Sequence, residues 1–494
     1  STHCHCIAGR LIFQRPFLLL TGMLLILMGN YINQIDLKQK LAYHKNVIIL
    51  YKKSLKHRLS LHFRGGAYIL QDYAFWGSVI VFLITYILII LEKIPRMVVA
   101  MGGGIIMLLL GFLTQETALK DDIDFNTLGL LTGMMILVAV IRRTGVFEAL
   151  AIWSASITRG EPLRLLALLS FITATVSAFL DNVTTVLLIV PVTLTLTKML
   201  QVNPLPFLIS EIIASNVGGT ATLIGDPPNI MIGSATGLDF NSFIINLAPI
   251  SIIILAVTIA LLLLIYRKDL HIDEKNREAI LQLNCKEEIK DWQLLKKSLA
   301  VLALTIVAFF LHGYLHLESA TIALAGAILL MLVSRVEPEV VLAEVEWPTI
   351  FFFVGLFVLV GGLKATGVIG ELAHWTLSVT HGDIVQTSLL VLWISAIASA
   401  FIDNIPFVAT MIPMLQEMGQ LSGMRLEPLW WSLALGACLG GNGTLIGASA
   451  NVIVAGIAEK NGVRLLFIPY FKIAFPLMII SIILCHVYLL LRYF

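Results

Sequence analysis

Long apolar runs dominate the chain and polar residues are confined to short stretches between them. Runs at 73–91, 97–115, 126–141, 244–266, 298–316, 319–334, 349–363, 386–402 and 472–492 approach the length needed to cross a bilayer. In lipid every backbone N–H and C=O must find a partner within the protein, and a helix meets that need within one segment. Near-continuous apolar stretches such as Ile253 to Ile265 do not alternate as barrel strands would. The pattern therefore predicts an all-α polytopic membrane protein. A further apolar run, Phe17 to Gly29, follows Arg10 and Arg15 and reads as a signal-anchor helix.

Two segments are polar enough for water: 38–64, rich in Lys and His, and 267–297, which suits a short surface helix. They divide the chain into an N-terminal anchor and basic loop (1–72), a first membrane half (73–266), a linker (267–297) and a second membrane half (298–494). The positive-inside tendency puts Lys93, Arg96, Arg142, Arg143 and the linker on the cytoplasmic side.

Composition sharpens the picture. Of 494 residues, 58% are hydrophobic and 13% charged, against roughly 25% charged in a soluble domain. A net charge of +2, with no basic patch interleaved with aromatics, gives no sign of a nucleic-acid partner. The five cysteines form no CxxC pair, and the opening His3-Cys4-His5-Cys6 reads as an exposed terminal tract, so no metal site is expected. No GxGD, HExxH or GxSxG motif occurs, so no intramembrane enzyme is expected, and no cofactor beyond a bound sodium ion or proton.

The chain repeats itself at one fixed offset. TVSAFLDNVTTVLLIVPV (175–192) matches IASAFIDNIPFVATMIPM (397–414), and VGGTATLIGDPPNIMI (217–232) matches LGGNGTLIGASANVIV (439–454), both 222 positions apart. The repeat covers about 124–233 and 346–455 without a gap. Two membrane-embedded copies are a signature of secondary transporters, whose site forms between the copies. An odd number of crossings per copy would make the topology inverted.

Each block sets polar residues in apolar surroundings, where a charge is costly and marks function. Asp181-Asn182 and Asp403-Asn404 suit the tips of re-entrant hairpins, where helix N-termini offer free N–H groups. Gly218-Gly219 and Gly440-Gly441 suit broken helices, whose freed carbonyls and half-helix ends can hold ions. The candidate ion- and substrate-binding residues are therefore Asp181, Asn182, Thr184, Thr185, Gly218, Gly219, Thr222, Asp226 and Asn229 in the first copy. In the second copy they are Asp403, Asn404, Gly440, Gly441, Asn442, Thr444 and Asn451. The copies differ: Asp226 aligns with Ala448, Glu211 with Leu433 and Thr184 with Pro406. Asp226 and Glu211 are candidate proton carriers or cation ligands.

At SAFLDNVTTVLL, GDPPN, SAFIDNIPF and LGGNGTLIGASANVIVAGIAEKNG the sequence resembles the P protein (pink-eyed dilution) branch of the ion transporter superfamily. That superfamily also holds NhaD-type sodium/proton antiporters, ArsB-type arsenite pumps and citrate or dicarboxylate transporters. The resemblance implies two inverted-topology repeats, each with a re-entrant hairpin and a discontinuous helix. It implies a homodimer and an elevator-type motion. In the dicarboxylate branch the tips carry Ser-Asn-Thr; Asp-Asn here favours proton or cation coupling over a dianionic substrate. The function expected is ion-coupled secondary transport of a small ion or anion, with a sodium ion or proton bound at the site. Sodium/proton antiport, arsenite efflux and a chloride-conducting channel are the alternatives. The protein is expected in a plasma (inner) or organelle membrane, surrounded by lipid.

Overall fold

A computed structural model describes residues 72–91, 93–270 and 285–494. The expected anchor helix at 17–29, the 38–64 loop, Cys4, Cys6 and the middle of the linker lie outside the described residues. The compact unit Ala74–Phe494 holds the two repeats.

Helix ends follow from local chemistry. Aspartates cap several N-termini by accepting backbone N–H groups: Asp124 from Asn126 and Thr127, Asp291 from Gln293 and Leu294, Asp383 from Gln386. Prolines at the first helical positions open others, where the missing N–H costs nothing. Gly145 and Gly367 turn the chain at φ of 77° and 84°, a left-handed backbone that glycine adopts without strain.

In chain order the first half contains α1 (Asp72–Leu91), α2 (Arg96–Leu109), α3 (Phe125–Arg142), α4 (Val146–Ile157), α5 (Pro162–Phe179), α6 (Asn182–Leu200), α7 (Leu205–Thr220), α8 (Pro227–Thr236) and α9 (Phe240–Tyr266). The second contains α10 (Trp292–Leu315), α11 (Ser319–Ser334), α12 (Trp347–Ala365), α13 (Val368–Val379), α14 (Ile384–Phe401), α15 (Asn404–Ser422), α16 (Glu427–Gly440), α17 (Ser449–Lys460) and α18 (Phe467–Tyr493). The described residues contain no strand. Nine of these helices are long and apolar enough to cross a membrane.

From α3 to α8 each helix begins 222 positions before its mate in the second half: 125 and 347, 146 and 368, 162 and 384, 182 and 404, 205 and 427, 227 and 449. The structural repeat is longer than the sequence repeat. Helices α1, α2 and α9 have counterparts in α10, α11 and α18, whose sequences diverge because they present mostly interchangeable apolar side chains.

The halves are interlaced. Helix α2 packs along α12, and α11 packs along α3. Small residues allow both approaches. A Cβ on Gly104 would lie 2.9 Å from the carbonyl oxygen of Gly355, and one on Gly133 would lie 2.6 Å from the carbonyl carbon of Ala323. Elsewhere bulky groups fill the interior, as where Phe243 meets Trp431 edge to face at 5.1 Å. Trp76, Ile80, Leu83, Ile84 and Ile87 of α1 are exposed, an apolar surface suited to lipid.

Candidate substrate and ion site

Each Asp-Asn pair sits where one helix ends and the next begins. The chain is extended at Leu180 between α5 and α6, and at Ile402 between α14 and α15. Asp181 caps α6, accepting from the Thr184 N–H at 2.8 Å and from the Thr184 hydroxyl. Asp403 caps α15, accepting from the Ile405 N–H at 3.0 Å.

The glycine blocks bring each broken helix against its hairpin. A Cβ on Gly218 would lie 2.5 Å from Cα of Ala174 on α5, and one on Gly440 would lie 2.5 Å from the Ala396 carbonyl oxygen on α14. Beyond these contacts α7 and α16 end, the chain runs irregularly, and α8 and α17 begin. The threonines and asparagines of the motif hold that geometry. Thr222 donates to the Ala178 carbonyl and Thr444 to the Ala400 carbonyl, both at 2.5 Å. Asn229 donates to the carbonyls of Thr220 and Thr222 at 3.0 and 2.8 Å, and Asn451 to those of Gly441 and Thr444 at 2.7 and 2.9 Å. Their hydroxyls and amide N–H groups are thus engaged with backbone, so what these residues present to a ligand is their remaining acceptor oxygens and the loops they fix.

At the centre the copies meet. Asn182 donates to Asn216 at 3.0 Å, and Asn216 donates to Asn442 at 2.8 Å and Asn451 at 3.0 Å. This chain of amides runs from the first tip through the first broken helix to the second. On the other side Asn404 reaches the Asp226 carboxylate at 3.3 and 3.5 Å. Cys438 lies within hydrogen-bonding reach of Asp226 and of the Asn229 side-chain oxygen, the latter at 3.5 Å. Asp226, Asn229 and Asn216 are all fully buried. A buried carboxylate held only by neutral donors is costly unless it carries a proton or meets a cation.

Three residues at this centre carry no sequence motif: Asn216, Cys438 and Arg96. Asn216 and Cys438 are repeat mates whose identities differ, so comparing the copies does not reveal them. Arg96, read from sequence as a loop cation, instead places its guanidinium 3.3 Å from Asp403. Glu211 lies away from the tips, fully buried between α6 and α7. Thr193 donates to one of its carboxyl oxygens at 2.5 Å, and the other oxygen has no partner among the described residues. The Thr185 hydroxyl is likewise buried without a partner among them.

Two cavities flank the centre at repeat-equivalent places. One, of about 350 Å³, is lined by Asp121, Asp122, Asp124, Ser234, Lys364 and Gln416 among others. The second, of about 90 Å³, is lined by Arg142, Thr184, Glu344 and Glu346 with apolar neighbours. Asp122, Asp124 and Lys364 are the repeat mates of Glu344, Glu346 and Arg142. In the larger cavity Lys364 stands 4.0 Å from Asp122, whereas beside the smaller one Arg143 pairs with Glu344 at 2.6 Å. Burial pushes the Asp122 carboxyl above its usual range against the pull of Lys364. Burial also raises Glu346, and the charge of Asp181 adds to that.

Sequence comparison agrees with this architecture. The profile of the CitMHS citrate transporter family matches residues 86–436. The chain belongs to this family. Among relatives of this citrate transporter family member, a 46 kDa membrane protein of Mycobacterium leprae is 43% identical over 421 residues, covering 84% of this chain and 98% of the relative. The human P protein is 37% identical over 479 residues, covering 80% of this chain and 57% of the P protein. The ion transporter superfamily and the likeness to the P protein, both expected from the hairpin and glycine motifs, are therefore correct. Among solved structures, the YdaH transporter of Alcanivorax borkumensis superposes with a TM-score of 0.52 at 14% identity, covering 85% of this chain and 97% of that one. MtrF of Neisseria gonorrhoeae gives 0.51 at 12%, covering 86% and 97%. These two likenesses speak to fold. The chain is thus a multi-pass integral membrane protein of a transporter family.

Proposed function

We propose that the protein is an ion-coupled secondary transporter whose single site lies between its two repeats and opens alternately to the two sides. The observation that carries this reading is the contact from Asn404 at the second hairpin tip to the buried Asp226 of the first broken helix. It joins a tip of one copy to the broken helix of the other around an ionisable group. In this reading the repeats are inverted, the hairpins are re-entrant, and Asp181 and Asp226 bind or release the coupling cation, sodium or proton. Asn182, Asn404, Asn442 and the loops at 218–229 and 440–451 shape the substrate cavity. Glu211, away from the tips between α6 and α7, carries a proton in this reading.

The unequal cavities support alternation. Two repeat-equivalent vestibules of unequal size are what a carrier caught in one state should have, and exchange of their roles moves the site between sides. An elevator-type displacement of the hairpins against α1–α3 and α10–α12, in a homodimer, fits this arrangement.

The test uses purified protein in acid-loaded liposomes containing a pH dye. Sodium, lithium, chloride, arsenite and citrate are added in turn. Alkalinisation driven by one of them, and lost in Asp181→Asn, identifies the exchanged ion. No ion-dependent proton movement by folded protein would reject proton antiport.

A further inference from the structure

The two hairpin tips are alike in sequence and unlike in charge. Asp181 takes its hydrogen bonds from Thr184, and among the described residues no Lys or Arg forms an ion pair with it. Asp403 accepts from Ser449 at 2.6 Å and from Arg96 at 3.3 Å, and Arg96 also donates to the Ser449 hydroxyl. The guanidinium lies over the Phe352 ring, 5.2 Å from its centroid, which fixes its approach. Neither partner recurs at the first tip. The repeat mate of Arg96 is Glu318 and that of Ser449 is Pro227. An arginine stays charged at any working pH, so this cation is permanent and tethered.

We propose that Arg96 fills, at Asp403, the place a coupling cation takes at Asp181, so that the tips of the carrier take one mobile cation instead of two. This rests on the proposed cation coupling and adds its count and its side. A second mobile cation at Asp403 would be repelled by a guanidinium already in contact with both of its oxygen ligands. Arg96 comes from α2 of the first repeat, whereas Asp403 and Ser449 belong to the second. The tethered charge therefore also ties α2 to the second hairpin and must part from Asp403 if that hairpin moves. Glu346 and Asp226 both lie within electrostatic reach of Asp181 at the first tip, and each also reaches the second, Glu346 to Arg96 and Asp226 to Asp403. The direct ion pair, however, is made at Asp403.

The experiment titrates the unfolding temperature of the purified full chain with sodium, with lithium and, separately, with acid. A ligand that binds the native state adds stability as the logarithm of its concentration above Kd, so the slope against log concentration counts the ions bound, and wild type should show one binding step with an apparent slope of about 1. Asp181→Asn should lose the response, and Asp403→Asn should keep it. Arg96→Gln should gain a second step, its slope rising to about 2 for the same reason. Should Arg96→Gln fail to fold, the charge-neutral pair Arg96→Gln with Asp403→Asn should retain the single step. A two-step wild type, a response lost in Asp403→Asn, or an Arg96→Gln slope equal to wild type would each overturn the inference while leaving cation coupling intact. A wild type indifferent to all three cations would overturn the coupling itself and the inference with it.

Discussion

The Asn216 side chain donates to the side-chain oxygen of Asn442 at 2.8 Å, and so joins the broken helices of the two repeats. A second bond to Asn451 at 3.0 Å reinforces the junction, and Asn182 completes the chain to the first tip. The centre of the protein is thus held by amides, which bond without carrying charge. A polar network of this kind has to be complete, because each unpaired buried group is costly.

Asn216→Ala should therefore damage more than its own bonds. It leaves Asn182, Asn442 and Asn451 each short of a partner, with a cost of about 1–3 kcal/mol for each buried group left unsatisfied. The expected result is a lower unfolding temperature together with loss of transport. Asn216→Gln, which keeps the chemistry and overfills the space, should recover stability only in part. Thermal unfolding and liposome flux on the same preparations check both statements.

The glycine blocks make a sharper prediction. Gly218→Ala and Gly440→Ala both force a methyl group onto hairpin backbone that cannot step aside. Both should abolish folded, active protein. Gly102→Ala, in α2, meets nothing within 4 Å, and should be neutral or stabilise by about 0.5–1 kcal/mol through the helix preference of alanine. Expression and monodispersity of the three variants separate these outcomes.

Asp226 is, like Glu211, an acid without a counterpart, since Ala448 stands at its repeat position. Asp226→Asn should fold normally, because the amide replaces a carboxylate that is buried among neutral partners. Its ion-dependent flux should fall by at least about tenfold, equivalent to 1.4 kcal/mol. An unfolding temperature well below wild type would instead mark Asp226 as structural.

Much of this was readable in the chain. The Asp-Asn tips and the glycine blocks stand out because close packing and backbone capture allow few residue types at those positions, so both copies kept them. The apolar runs located α1, α2, α3, α9, α10, α11, α12, α14 and α18 with ends off by at most six residues, since continuous hydrophobicity marks those helices. What stayed hidden has a physical reason in each case. Arg96 lies 307 positions from Asp403 and has no local signal. Asn216 and Cys438 face the centre from equivalent helices, but each copy chose its own polar group. The amide and hydroxyl groups of Asn229, Asn451, Thr222 and Thr444 read as ligands by type, and only the structure shows their donors turned to carbonyls.

Outside the spanning helices, Asp239 offers a check on pH. It caps α9, accepting from the Ser242 N–H at 2.9 Å. Burial alone would raise its carboxyl, but the bonds from Ser242 and Asn241 and the nearby His312 hold it below the usual value. A depressed native value means the stabilisation is present above the unfolded value, near 3.9, and is lost as pH falls through the native one. Asp239→Asn should lower the unfolding temperature at pH 7, and the gap to wild type should close as the medium is acidified below about pH 4. A gap independent of pH would contradict the assignment.

The most direct test of coupled transport is the internal pH at which proton movement stops. In liposomes with the membrane potential clamped, the gradient of the ion found to drive alkalinisation is varied and the stopping pH is read each time. A coupled carrier predicts a stopping pH that shifts in step with the ion gradient, with the flux lost in Asp181→Asn. A stopping pH that ignores the ion gradient, with flux that persists and does not saturate, would mean an uncoupled pore and would contradict the account.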